Sequence, residues 1–285
     1  MQLYIYAKSG HNFGLENVRR ASALCNMLKS CDPILCTADY RAATFAKQEL
    51  GINKGLGIDI IGNLPNVMQR GDMLIYDDSH EASTTMQDHM KQFCTKIYKV
   101  GEDIPFEVVD PIFFEQNNKI LYEKAIFFAD DDYDNWFLEF CNTEKIYDIP
   151  LLWGHYFFFG NEEKFGKNFT NILEEDNYID IVKQTKYLLT SSVHTALESL
   201  SSNNCPIFFK RGSKENQNIE LIEKYNIPII EASNIDQLIN KSDEIIKNYP
   251  TTKQLEKFDT STIEAEILQI LQLFEKVSPS LEYKY

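Results

Sequence analysis

At Tyr187-Leu188-Leu189-Thr190-Ser191-Ser192-Val193-His194-Thr195-Ala196-Leu197-Glu198-Ser199-Leu200 a short apolar run breaks at two serines, and the pattern turns from strand-like to helical. A strand that hands the chain directly to a helix is the repeating unit of a parallel α/β sheet. At the junction the hydroxyls of Ser191, Ser192 and Thr195 meet the leading N–H groups of a helix, which suits an anion such as phosphate. Plain N-capping by Ser191 or Ser192 accounts for the same residues. His194 and Glu198 are spaced i, i+4, which places them on one helix face.

The same alternation extends outward in both directions. In the second half the pattern predicts strands over 124–129, 149–153, 187–190, 206–209 and 228–231, and helices over 136–141, 179–184, 193–200, 218–225, 235–248 and 262–277. In the first half it predicts strands over 3–7, 33–37, 58–62, 73–76 and 96–100, with a clear helix over 16–28. Between the halves, 102–118 carries Pro105, Pro111 and an amide-rich run, the composition of a connection. The expected organisation is a first domain over 1–104, a linker over 105–118, a second domain over 119–261 and a terminal helix and tail over 262–285. The fold class is α/β, two Rossmann-like doubly wound domains facing across a cleft. Loops at the carboxyl ends of strands are then where ligands bind.

Composition narrows the chemistry. With 285 residues, 44% of them hydrophobic, the chain can build two cores. Lys plus Arg number 28 against 43 Asp plus Glu, a net charge of −15 that opposes nucleic acid and anionic membranes. No basic, then apolar leader opens the sequence and no apolar run spans a bilayer, so a cytoplasmic protein is expected. The six cysteines lack metal-binding spacing and fall within apolar patterns, in keeping with a reducing compartment and no zinc.

Downstream of the opening stretch come Cys205-Pro206-Ile207-Phe208-Phe209, the pair Lys210-Arg211, and Asn216-Gln217 before another helix. This order resembles the carboxyl-terminal domain of GT-B nucleotide-sugar enzymes. It is most similar to their small members, the UDP-sugar hydrolase of pseudaminic acid biosynthesis and the N-acetylglucosaminyltransferase that forms lipid II. The resemblance implies that Ser191, Ser192 and Thr195 face a donor diphosphate, that Glu198 meets the ribose and that Asn216 and Gln217 meet the sugar. His194 and His155 belong to the same nucleotide-sugar set, and Lys210 and Arg211 offset the diphosphate charge. The loop Lys8-Ser9-Gly10-His11-Asn12-Phe13-Gly14-Leu15-Glu16 resembles the acceptor-side loop of these enzymes, through either Gly10-His11 or Gly14-Leu15-Glu16. His11 is the first choice for general base, with Glu16 and Asp78 next.

The implied activity is transfer of a sugar from a nucleotide-diphosphate sugar, a UDP-sugar by preference, to an acceptor glycan or small molecule in bacterial surface polysaccharide biosynthesis. No metal is obligatory, although Mg²⁺ could assist. With water as acceptor the same machinery is a nucleotide-sugar hydrolase. Two departures keep other readings open. The loop Ala129-Asp130-Asp131-Asp132-Tyr133-Asp134 is acidic where the family is glycine-rich. It reads either as a solvated, helix-capping turn or as an Asp-x-Asp metal site of a transferase or phosphatase. The missing glycines also admit a non-catalytic sugar-nucleotide-binding protein. A second acidic loop, Asp77-Asp78-Ser79-His80-Glu81, reads equally as acid–base chemistry or a helix cap. The run 156–159, Tyr-Phe-Phe-Phe, reads as core or interface.

Overall fold

The computed structural model describes residues 1–77, 82–115, 119–212 and 217–277. The chain divides into two compact units, each discontinuous in sequence. The first comprises residues 1–8, 21–105 and 258–285, and the second 9–20 and 106–257.

In chain order the first unit contains β1 (Leu3–Ala7), most of α1 (Glu16–Met27), β2 (Ile34–Thr37), α2 (Tyr40–Glu49), β3 (Gly55–Gly57), β4 (Met73–Asp77), α3 (Thr84–Phe93) and β5 (Lys96–Lys99). Its sheet is wholly parallel, in the order β3-β2-β1-β4-β5. The side-chain period of two sends Tyr4, Tyr6, Leu74 and Tyr76 to one face, where they pack with Met90 of α3. Leu3, Ile5 and Ala7, between them, are equally buried. Both faces are therefore covered, as parallel sheets require.

The expected strand over 58–62 is absent. β3 ends at Gly57, and Ile61–Asn66 forms a 3₁₀ turn. Asp59 accepts hydrogen bonds from Ile60 N and Asn63 Nδ2, which closes a turn where the apolar run alone suggests extension. The helix α2 goes unmarked by the apolar pattern because its buried stripe is only Ala42, Phe45 and Ala46.

The second unit runs β6 (Tyr122–Phe127), α4 (Trp136–Phe140), β7 (Leu151–Leu152), α5 (Glu162–Phe165), β8 (Ile172–Leu173), α6 (Tyr178–Gln184), β9 (Thr185–Thr190), α7 (Val193–Ser201), β10 (Ile207–Phe209), α8 (Ile219–Lys224), β11 (Ile229–Ile230) and α9 (Ile235–Lys247). Its sheet is parallel in the order β11-β10-β9-β6-β7-β8. Ala125 and Phe127 of β6 pack toward α6, α7 and α8, whereas Ile126 and Phe128 pack toward α4 and α9. A continuous apolar run on β6 is thus the signature of a strand buried on both sides. Each large side chain so buried contributes roughly 1.5–3 kcal/mol.

Two segments join units other than those their sequence position suggests. Within the expected linker over 105–118, the described residues 106–115 do not stand apart as a connection, since Val109 and Phe113 enter the core of the second unit. The last helix, α10 (Ser261–Val277), belongs to the first unit. Glu266 there receives hydrogen bonds from Lys96 (2.6 Å) and Tyr98 (2.5 Å), and Ile267 is fully buried. Among the described residues no helix is long and apolar enough to cross a membrane.

Candidate functional site

Sheet order locates the ligand edge of each unit. In the second sheet the chain leaves β6 toward β7 and β8, then returns to place β9, β10 and β11 on the other side. The switch point lies between β6 and β9, and the loops leaving their carboxyl ends flank it. These are 128–135 and the Ser191-Ser192 junction. In the first sheet the switch lies between β1 and β4, followed by Lys8-Ser9-Gly10-His11 and by Asp77.

Ser192 caps α7, its Oγ accepting from Thr195 N at 3.1 Å. Ser191 Oγ donates to the Phe128 carbonyl at 2.6 Å, which ties the β9 junction to the end of β6. The Thr195 hydroxyl lies 2.8 Å from Ser192 Oγ and 2.7 Å from Tyr178 Oη. Tyr178 in turn donates to the Glu198 carboxylate. Burial, together with the Glu198 charge, raises the Tyr178 pKa well above its ordinary value, so the phenol stays a donor. His194 Nε2 is 3.4 Å from Glu198 Oε1, and both residues are buried. The Ser192 and Thr195 hydroxyls converge and bond one another, and that of Ser191 is spent on the Phe128 carbonyl, so all three are engaged. Helix geometry leaves the N–H groups of Val193 and His194 without intrahelical acceptors.

Arg19 completes this cluster. Both its terminal nitrogens donate to the Asp130 carboxylate at 2.6 Å, and its guanidinium lies 3.8 Å from the centre of the Tyr178 ring. Burial alone would lower the Arg19 pKa, but the charge of Asp130 overrides it and the guanidinium is held above its ordinary value. Asp130 also accepts from Leu15 N at 3.2 Å, at the entry to α1, where a helix favours an anion. Gly14 sits against this group with φ +73°, and a Cβ there would come within 3.3 Å of both Asp130 and Asp131.

The acidic loop is not a solvated turn. Asp130, Asp131 and Asp132 are at most 5% exposed, and each is engaged. Asp131 holds Arg211 at 3.1 Å, with the guanidinium also 4.4 Å from the Phe128 ring centre. Asp132 accepts from Phe137 N (2.9 Å) and Leu138 N (3.2 Å) of α4, which is the capping role expected of this run. Burial raises its pKa despite those bonds. The run is buried because it leaves the central strand of a sheet covered on both faces. Its oxygens are directed at arginines and amides, and no three His, Cys, Asp or Glu side chains among the described residues are arranged to hold a metal ion.

The other expected site residues scatter. His11 is exposed in the turn after β1, its ring 5.0 Å from that of Tyr156. Glu16, half-buried, opens α1. His155 Nδ1 is 3.0 Å from Glu175 Oε1 beyond β7. Lys210 points instead to Glu231, at 2.6 Å, on the surface. Gln217 is exposed before α8, and Asp78 and Asn216 lie outside the described residues. Sequence reasoning passed over Arg19, Tyr178 and Glu175. A charged pair, Arg19-Arg20, within a helix of otherwise small and apolar side chains was the available signal for the first. Tyr178 and Glu175 carry none.

No family model matches the sequence, and no curated protein matches it. Solved structures do. The UDP-GlcNAc 2-epimerase of Methanocaldococcus jannaschii, in complex with UDP-GlcNAc and UDP, aligns over 96% of this chain and 100% of its own with TM-score 0.56 and 14% identity. A putative UDP-N-acetylglucosamine 2-epimerase from Listeria monocytogenes covers 100% of both chains with TM-score 0.53 and 11% identity. UDP-bound MnaA of S. aureus covers 100% of both with TM-score 0.51 and 9% identity. At such identities the likeness is one of fold, and this chain has the two-domain, Rossmann-like fold of GT-B nucleotide-sugar enzymes.

Proposed function

We propose that the chain is a cytoplasmic enzyme that transfers a glycosyl group from a nucleotide-diphosphate sugar to an acceptor, in the making of a surface polysaccharide. One observation carries the reading. At the switch point of the second sheet, the capped N-terminus of α7 sits in the same buried network as Arg19 and Asp130, beside the Arg211–Asp131 pair. Helix amides and arginine forks are the donors that stabilise a departing diphosphate. The fold neighbours with UDP bound make a UDP-sugar the first donor to try.

In the transfer, the bond between the anomeric carbon and the diphosphate oxygen breaks, and its electron pair leaves with the nucleotide. The acceptor oxygen bonds to that carbon, and its proton passes to a base. His11 is the first choice for that base, followed by Glu16 and Asp78. By the resemblance, Glu198, which Tyr178 holds, would meet the ribose, and His155 the base or sugar. Water as acceptor makes the same site a hydrolase.

One observation favours a second reading. Asp130 and Asp131 already hold the guanidinium groups of Arg19 and Arg211, which weakens the stabilisation these can give to the charge of a departing diphosphate. A protein of this fold that binds a partner or a sugar nucleotide without turnover fits that arrangement.

Thermal unfolding with UDP, GDP, CMP, dTDP and ADP, with and without Mg²⁺, tests both. A nucleotide at 100 times its Kd stabilises the fold by about 2.7 kcal/mol. One nucleotide is expected to shift the transition without metal, with the shift lost in Arg211→Met. Release of that nucleotide from its sugar conjugate then marks an enzyme. Binding without release supports the second reading, and no shift with any nucleotide overturns both nucleotide readings.

A further inference from the structure

The run 156–159 divides in the structure. Tyr156 and Phe157 enter the interior at 2% and 3% exposure, whereas Phe158 is 45% and Phe159 80% exposed. Tyr133, on the loop after β6, is 51% exposed. Rings link these residues to the candidate base. The His11 ring centre lies 5.0 Å from that of Tyr156 and 6.2 Å from that of Tyr133, and Tyr133 is 6.4 Å from Phe158. All belong to the second unit.

This group is held in place. Tyr156 N donates to the Asp130 carbonyl at 2.8 Å, and Asn161 Nδ2 donates to Asn135 Oδ1 at 2.6 Å, so the loops after β6 and β7 are bonded together. Gly154 lets them approach, since a Cβ there would lie 2.3 Å from the Ala129 carbonyl. Large aromatic side chains left bare on a built surface at the carboxyl edge of a parallel sheet mark a binding surface.

We propose that Tyr133, Phe158 and Phe159 form the platform on which a neutral acceptor sugar stacks, with its hydroxyl presented to His11; this rests on the transferase reading. A sugar ring offers a face of C–H groups, electropositive toward the negative face of an aromatic ring. Its hydroxyl rim needs the polar groups that surround the platform. The exposed charges nearest in sequence are Asp134, Glu162 and Glu163 against Lys164 and Lys167, an excess of one acid that disfavours anionic sugars and anionic lipid headgroups. The platform lies beyond β6 and β7, whereas α7 follows β9 on the other side of β6, so acceptor and diphosphate would meet along the loop after β6.

The probes are methyl β-D-glucopyranoside, methyl β-D-galactopyranoside and methyl N-acetyl-β-D-glucosaminide, observed by saturation-transfer NMR on the full chain, with and without UDP. At least one is expected to show saturation on its ring C–H protons, falling fivefold or more in Tyr133→Ala and in the double variant Phe158→Ala/Phe159→Ala. The UDP-induced thermal shift should stay unchanged in both, which also certifies their folding. Saturation on none of the three, or undiminished saturation in the variants, overturns the platform while a wild-type UDP shift leaves the transferase reading standing. Loss of the UDP shift in the variants overturns it in favour of a nucleotide base on the rings. Ring-dependent binding to phosphatidylcholine vesicles, or ring-dependent dimerisation in sedimentation, overturns it in favour of a membrane or a second copy. Ring-dependent glycoside binding without any UDP shift supports the platform and removes UDP as the donor nucleotide instead.

Discussion

Arg19 and Asp130 form a buried, bidentate pair between residues 111 positions apart. Removing one partner leaves the other charge buried, at a cost of about 3–5 kcal/mol, whereas removing both costs much less. Arg19→Met and Asp130→Leu should each lower the urea midpoint strongly, and the double variant should recover much of the loss. A double variant with additive losses would show that the pair does not act as a unit. Gly14, beside it, has φ +73°, and a Cβ there would be tight, at 3.3 Å from Asp130 and Asp131. Gly14→Ala should cost about 1–2 kcal/mol from backbone strain alone, read from the same urea curves. Neither Arg19 nor its partner is identifiable from composition. What the sequence shows is that Gly14 fits the loop it resembles and the aspartates do not, and folding then places them against each other.

Helix α7 carries its start in its sequence. Ser192 with Thr195 is a standard cap, and the strand before it carries the apolar run Tyr187-Leu188-Leu189. Ser192→Ala should cost about 1 kcal/mol, as should the equivalent change at Asn234, which caps α9 through Gln237 N. The two differ in a second readout. If the α7 terminus binds the diphosphate, Ser192→Ala also diminishes the UDP-induced thermal shift, whereas Asn234→Ala leaves it intact. Elements with unbroken apolar runs, such as 125–129 at the end of β6 and 187–189 in β9, were legible because burial on both faces demands such runs. The turn over 61–66 was not, because Asp59 acts through local hydrogen bonding and Pro65 through its fixed φ, neither of which hydrophobic period registers.

Over the whole molecule, acidity and buried thiols set opposite limits on stability. Burial pushes the thiols of Cys36 and Cys94 up to about 12 from an ordinary 9.0. Because the folded value is raised, their contribution is complete below about pH 9 and is lost as pH rises toward 12. Hydrogen bonds from Lys210 to Glu231, and from Lys145 and Tyr147 to Asp236, hold those exposed carboxylates below their ordinary values. Their contribution is present above about pH 4.5 and lost as pH falls. Urea midpoints should therefore fall on both sides of neutrality. The alkaline fall should be shallower in Cys36→Ala, once that variant is compared with its own value at pH 7. Discontinuity of the units has its own consequence. A fragment over 106–285 lacks Arg19 for Asp130, so its near-ultraviolet circular dichroism should be weak and should recover when the 1–105 fragment is added.

By itself, the amino-acid sequence determined the α/β class, most strands and the junction at Ser191-Ser192. Each of these follows from period, burial and turn chemistry within a few consecutive residues. Only the tertiary structure decided that residues 9–20 group with the second unit, that the acidic loop is buried on Arg19 and Arg211, and that 156–159 divides between core and surface. These depend on partners distant in the chain, and no local pattern encodes which distant side chain will neutralise a buried charge.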